Sequence, residues 1–359
     1  MSSTTASALK DAVEAVTVPR LEAAVQGIRQ VSQKAAGWLT DRIEAGVPAY
    51  SDERNSWWRV PWALTLAGER SIAAGVLAWA ESEALTDEGD LKPGPYGGSD
   101  ERTPVYQLTH LALAAHLLDR FDLSARIYQR VLTYWNHDEG GAYTYHDRRD
   151  GQVDWLLTAQ VGLVAVALGD TAVRDQAYAW YRQMWDWQPA LDDLVLVTGR
   201  DADGLRTAPA TGAFNLDRVD FTKPKELYFQ PGAAAAFLAE YSAQTGDRDA
   251  VAIARGLMKL NVEGTVEQIA DPESVHACKF PWGAAELSVL DGEFDWAPYL
   301  VLFAEWFADR QEDSGAWSPS AFTLTKPATD ADRMWKTAEH LMEVQKISAG
   351  LSARLATLR

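Results

Sequence analysis

Very short turns and long loops alternate along this chain, and that rhythm limits its fold more than any other feature. Ala67-Gly68-Glu69-Arg70, Leu118-Asp119-Arg120-Phe121, Leu168-Gly169-Asp170-Thr171, Thr245-Gly246-Asp247-Arg248 and Leu290-Asp291-Gly292-Glu293 each interrupt two apolar helical runs. Glycine supplies the left-handed residue that ends one helix, and Asp or Thr caps the next. Turns this short force antiparallel neighbours, so each marks a helical hairpin. Between the hairpins lie longer segments rich in Gly, Pro, Asp and aromatics: Glu83–Thr103, Asn136–Val153, Asp186–Lys225, Asn261–Lys279 and Glu312–Asp330. The unit repeats about every fifty residues, stretched once before Lys225.

The helices that open after each long loop are the more apolar and Ala-rich ones: Trp57–Leu66, Pro104–Leu117, Asp154–Leu168, Glu226–Tyr241, Pro281–Leu290 and Met334–Leu351. Those that precede the loops, such as Ala125–Trp135, Val173–Trp185 and Trp296–Gln311, are amphipathic, and Pro19–Ala45 would be the first of them. An apolar helix that alternates with an amphipathic one fits an inner ring wrapped by an outer ring. The expected fold is therefore all-α, an (α/α)6 toroid of six inner and six outer helices. A linear solenoid of hairpins is the competing architecture, but its repeats are shorter and more uniform. Residues 1–16 read as a flexible tail and 17–359 as one domain.

All long loops then emerge at one end, where the inner helices begin and their positive dipole ends gather. The first turns there carry Trp57, Trp58, Arg59, Tyr106, His110, Asp154, Trp155, Glu226, Tyr228, Gln230, Trp282, Trp335 and Lys336. An aromatic recurs at every entry, and with 15 tryptophans in the chain the set suits either a plug for the barrel axis or the wall of a cup. The expected substrate-binding residues are Trp57, Trp58, Arg59, Tyr106, Trp155, Tyr228, Gln230, Trp282 and Trp335. The expected catalytic ones are Asp154, Glu226, His276 and Lys279. Asp154 also has the place of a helix N-cap. Glu226 stands beside Lys223 and Lys225, either as an acid–base set or as a solvated charge run. His276 could shuttle a proton near neutral pH, and Lys279 could steady an anionic oxygen.

The net charge of −18, from 33 basic and 51 acidic residues, argues against nucleic acid or an anionic membrane as partner. A single cysteine, Cys278, excludes an internal disulfide and a multi-thiolate zinc site. His110, His116, His137, His146 and His340 lack metal-ligand spacing, so no metal is expected, and no cofactor. There is no glycine-rich phosphate loop and no nucleophile elbow, and Asp192-Asp193 alone is a weak magnesium–diphosphate signal. No segment has the length of a signal peptide or a membrane span, which gives a cytoplasmic expectation with the oligomeric state open.

Gln311-Glu312-Asp313-Ser314-Gly315-Ala316-Trp317 has the Gln-x3-Gly-x-Trp form that staples helices in squalene–hopene-type terpenoid cyclases. The order Trp57-Trp58-Arg59-Val60-Pro61-Trp62, Asp87-Glu88-Gly89-Asp90, His137-Asp138-Glu139-Gly140-Gly141, Asp154-Trp155, Glu226-Leu227-Tyr228 and Lys279-Phe280-Pro281-Trp282-Gly283 is more specific. Over about residues 50–345 the chain resembles toroids best known from fungal hetero-Diels–Alderases of tropolone–sesquiterpenoid pathways. That resemblance implies a cofactor-independent enzyme that holds a reactive intermediate and a terpene in an aromatic cup. The Asp-x-Asp-Asp acid motif of class II cyclases is absent. The expected function is cyclisation, cycloaddition, dehydration or isomerisation of an apolar or aromatic small molecule. A carbohydrate-active toroid (glycoside hydrolase, lyase or epimerase) is the alternative, and a non-catalytic binding protein is a third reading.

Overall fold

The computed structural model describes residues 7–53, 55–96, 101–206, 217–270, 279–319 and 327–359. Within them run α1 (Val18–Thr40), α2 (Val60–Leu66), α3 (Arg70–Trp79), α4 (Val105–Leu117), α5 (Phe121–Leu132), α6 (Trp155–Leu168) and α7 (Thr171–Asp186). They are followed by α8 (Gln230–Thr245), α9 (Arg248–Glu263), the single turn α10 (Glu267–Ala270), α11 (Lys279–Leu290), α12 (Ala297–Arg310) and α13 (Asp330–Thr357). Helices α2, α4, α6, α8, α11 and α13 touch in that order, and α13 closes on α2. Each is backed by a partner from α1, α3, α5, α7, α9 and α12. The closed ring is the (α/α)6 toroid. A linear solenoid would have left α13 and α2 apart.

Helix starts differ from the expected ones for local reasons. Prolines fix the first turns of α2 and α8, at Pro61 and Pro231, because proline suits a position whose N–H is unpaired anyway. Trp57, Trp58 and Arg59 therefore lie just before α2, and Glu226 to Phe229 just before α8. Helix α13 begins at Asp330 instead of Met334, since Thr329 and Asp332 form a capping box.

The loop motif shared along the sequence is a docking device. Gly140 sits at φ +73°, and a Cβ there would lie 2.7 Å from the Gln176 carbonyl of α7. Gly315 sits at φ +94°, with the Lys34 carbonyl of α1 at 2.5 Å from such a Cβ. Gly89 meets the backbone of α5 at Ile127 in the same way. Each of these three loops thus lays a glycine flat against the next outer helix, where no side chain fits. The Gly315 contact joins the last loop to α1. Gln311 Nε2 adds bonds to the carbonyls of Val31 (2.9 Å) and Gly315 (3.0 Å), and Trp317 Nε1 donates to the Phe307 carbonyl at 2.9 Å.

Part of the expected tail is seated on the domain. Leu9 is fully buried, its N–H donates to Gly264 O at 2.8 Å, and Val266 N–H donates to Ser7 O at 2.8 Å. No helix among the described residues is long and apolar enough to cross a membrane.

Candidate functional site

Where α2, α4 and α13 begin, Arg59 is buried in an aromatic box. Its guanidinium carbon lies 3.7 Å from the centroid of Trp58, 5.2 Å from that of Trp335 and 5.5 Å from that of Tyr106. His110, one turn along α4 from Tyr106, stands edge-on to Trp58 at 4.8 Å and to Trp62 at 5.0 Å. Trp62 in turn meets Trp282 of α11 at 5.8 Å. The His110 Nδ1 pairs with the Tyr106 carbonyl at 2.7 Å, and Nε2 is buried without a partner. Burial, then the charges of Arg59 and Lys279, push this imidazole well below its ordinary range, so it is neutral.

Beside the box runs a buried ionic chain. Lys336 Nζ donates to Glu339 Oε2 at 2.6 Å. Lys279 Nζ donates to Glu339 Oε1 at 3.3 Å and to Glu343 Oε1 at 2.6 Å. All four side chains are nine-tenths buried or more. Burial favours the neutral form of both carboxyls, and the cations decide the outcome differently at each. Around Glu339 the three cations Lys336, Lys279 and Arg59 outweigh burial and hold the group well below the usual range. At Glu343 burial wins over Lys279, and the carboxyl is pushed up to about 7. Its second oxygen has no partner. It lines a narrow cavity of about 10 Å³ with Trp62, Leu66, Trp282, Met342 and Lys346. His340, beside Glu339, is held neutral by burial and by Lys336.

Glu339 and Glu343 were absent from the sequence-derived set, though a signal existed. Lys336, Glu339, Glu343 and Lys346 recur at steps of three and four, a charged stripe on a helix otherwise expected to face the core. On an inner helix such a stripe can only face its ring neighbours or the axis.

The structure brings Trp58, Arg59, Tyr106, Lys279, Trp282 and Trp335 together, with Lys336 and His110. Other candidates lie elsewhere. Trp57 points between the layers, against Trp79 at 5.1 Å and Tyr96 at 6.4 Å. Trp155 donates Nε1 to the Gln230 carbonyl at 2.9 Å and packs on Trp180 and Tyr181. Tyr228 is fully buried against Phe221, with its hydroxyl on the Lys223 carbonyl. Gln230 is buried at the first position of α8, its Oε1 unpartnered.

Asp154 caps α6 by accepting from Leu157 N–H at 2.9 Å, and desolvation raises its carboxyl against the pull of Arg102. Glu226 is half-buried and raised by desolvation. Its expected neighbour Lys223 pairs with Asp220 at 2.8 Å and also acts on Glu226 through its charge. His276, with Cys278, lies outside the described residues.

No protein-family model matches the sequence, and no curated protein matches it. Solved structures do match in fold. A family 76 α-1,6-mannanase from Salegentibacter aligns at TM-score 0.63 with 10% identity, covering 90% of this chain and 99% of that one. A family 76 α-mannanase from Bacteroides thetaiotaomicron aligns at 0.58 with 11% identity, over 92% and 97%. The type II terpene cyclase MstE from Scytonema, as an arginine-to-alanine variant with its substrate geranylgeranyl dihydroxybenzoate, aligns at 0.56 with 11% identity, over 92% and 99%. These likenesses fix the fold, an α/α toroid used by both glycoside hydrolases and terpene cyclases. The finer likeness to hetero-Diels–Alderases rests on the sequence motifs alone.

Proposed function

We propose that the chain is a small-molecule enzyme that moves a proton inside an aromatic-walled cup, on an apolar, isoprenoid-like or aromatic substrate. Cyclisation, cycloaddition, dehydration or isomerisation would be the outcome. The observation that carries this reading is the buried pair Glu339 and Glu343, bridged by Lys279, the first held low by its cations and the second raised by burial. Carboxyls whose surroundings push them apart divide acid and base work. Near pH 7 Glu343 holds a proton that it can give or take, while Glu339 stays charged and fixes the ammonium groups. Trp62 and Trp282, which line the cavity beside Glu343, supply electron density for developing positive charge.

The carbohydrate reading draws on the mannanase neighbours. One of them is inactive when two adjacent aspartates are replaced. In this chain adjacent aspartates occur only as Asp192-Asp193, and both are exposed. Glu339 and Glu343 share one helix and one lysine, whereas a glycosidase flanks the scissile bond with its two carboxyls. Both points favour the cyclase-like reading.

Native mass spectrometry and thermal shift against paired panels of terpenoid or polyketide compounds and oligosaccharides test this choice. Stabilisation by apolar ligands that is lost in Trp58→Ala or Trp282→Ala is the expected result. Stabilisation by sugars alone would overturn it. Once a turnover assay exists, Glu343→Gln should lower kcat by about 10²–10⁴-fold, the usual share of a positioned proton donor.

A further inference from the structure

Arg59 is the one buried cation of the site with no hydrogen bond or ion pair among the described residues. It is 7% exposed, and its Nε and Nη1 atoms are buried without partners. Stacking on Trp58, Tyr106 and Trp335 occupies the faces of the guanidinium. It leaves the N–H donors, which lie in the guanidinium plane, unspent. Buried guanidinium donors are almost always paired, and an orphaned one in a native fold asks for the group that would complete it.

Local charge asks for the same thing. Among the described residues the cluster holds the cations Arg59, Lys279 and Lys336 against the carboxyls Glu339 and Glu343, while Lys346 beside it is neutralised by Glu286 at 2.7 Å. With both carboxyls ionised one positive charge is left over, and with Glu343 protonated two are. His110 and His340 add none, because burial, helped by neighbouring cations, keeps them neutral. This excess sits in a protein of net charge −18, at the end of the ring where the inner helices present their positive poles. Its walls are Trp58, Tyr106 and Trp335.

We infer that the ligand of this site carries an anionic oxygen group, a carboxylate or a phosphate, which docks on Arg59 while its apolar or aromatic body lies along the tryptophans. The inference rests on the small-molecule cup proposed above and adds the chemical class of the substrate: an anionic amphiphile. Arg59 anchors the head, and the Lys279–Glu343 end of the cluster faces the part of the body that reacts.

The test compares ligands that differ only in charge. Titration calorimetry at pH 7 would measure 2-naphthoate, 2-naphthyl phosphate and the uncharged 2-naphthamide on the full chain. At least one anion should bind about tenfold or more tighter than the amide, the size of a charge-assisted hydrogen bond. Which anion wins separates carboxylate from phosphate recognition. Arg59→Gln should erase the preference of anion over amide, and Arg59→Lys should keep part of it. A melting temperature for Arg59→Gln at or above wild type shows that the variant folds.

Equal binding of anions and amide overturns the inference and leaves the aromatic cup standing. A preference that survives in Arg59→Gln overturns the role of Arg59. If none of the naphthyl ligands binds at millimolar concentration, the cup falls with it.

Discussion

The ring has two walls that begin alike and end differently. On the α6–α8 wall Trp155, Tyr181 and Tyr228 have their polar tips tied down, while Trp180 Nε1, both side-chain polar atoms of Gln160 and Gln230 Oε1 are buried without partners. Trp155 Nε1 bonds the Gln230 carbonyl, the Tyr181 hydroxyl bonds the Trp155 carbonyl, and the Tyr228 hydroxyl bonds the Lys223 carbonyl. Asn261 closes the arrangement on the Tyr228 carbonyl at 3.0 Å. On the wall built by α2, α4, α11 and α13 the orphans include ionisable groups: Arg59, His110, His340 and Glu343 each leave an atom unpaired. A satisfied buried group has finished its work in folding. An unsatisfied one is held at a cost by the rest of the fold, which is how sites for ligands are recognised.

The largest effects should come from cutting either wall where it is already complete. Trp155→Ala removes a fully buried indole and its hydrogen bond, and should lower unfolding free energy in urea by about 3–5 kcal/mol. Lys279→Ala strips Glu339 and Glu343 of their shared partner, and should cost about 3–5 kcal/mol by the same measurement. Arg59→Met sharpens the contrast. It removes a buried charge that has no bonded partner, so stability should stay level or rise, and loss of more than about 2 kcal/mol would show that Arg59 is a structural residue after all.

The fold was legible because its signals are local and repeated. Turns such as Leu168-Gly169-Asp170 and the docked Gly140 and Gly315 announce themselves without reference to partners far along the chain. Half of the site was legible for the same reason, since Trp58, Arg59, Tyr106, Lys279 and Trp335 all stand at the opening of an inner helix. Glu339 and Glu343 were missed because their meaning depends on which helix faces Lys279, and the sequence does not carry that. Trp57, Trp155 and Tyr228 looked equivalent to Trp58, since a helix entry fixes depth along the ring but not whether a side chain turns toward the axis or between the layers.

The pH dependence separates the two carboxyls. Below pH 4.5, the ordinary value for Glu343, the folded and unfolded chains both keep its proton. Between 4.5 and about 7 the folded chain alone keeps it. The unfolded state therefore binds fewer protons in that window, and this group's contribution to stability falls as pH rises through it. Glu339 works in the opposite sense, with stability present above 4.5 and lost as pH falls through its depressed folded value. Urea unfolding from pH 4 to 8 should show a decline of a few kcal/mol at most toward neutral pH, and Glu343→Gln should flatten it. A decline that persists in the variant would place the titrating group elsewhere.

The smallest effect tests the residue on which the two walls are easiest to confuse. Asp154 stands at the loop end of the ring with a raised carboxyl, the marks of a proton donor, and it also accepts the Leu157 N–H as the cap of α6. Geometry favours the cap, because a carboxylate oxygen spent on a helix N–H is satisfied in the same way as Trp155, Tyr181 and Tyr228 on that wall. Asp154→Ala should then cost about 1 kcal/mol, and Asp154→Asn or Asp154→Ser only a few tenths, since both still cap. Ligand binding and turnover should be unchanged in all three once stability is restored by working at lower temperature. If Asp154→Asn keeps its stability and loses turnover, the carboxyl is needed for its proton, and the α6–α8 wall belongs to the reaction as well as to the fold.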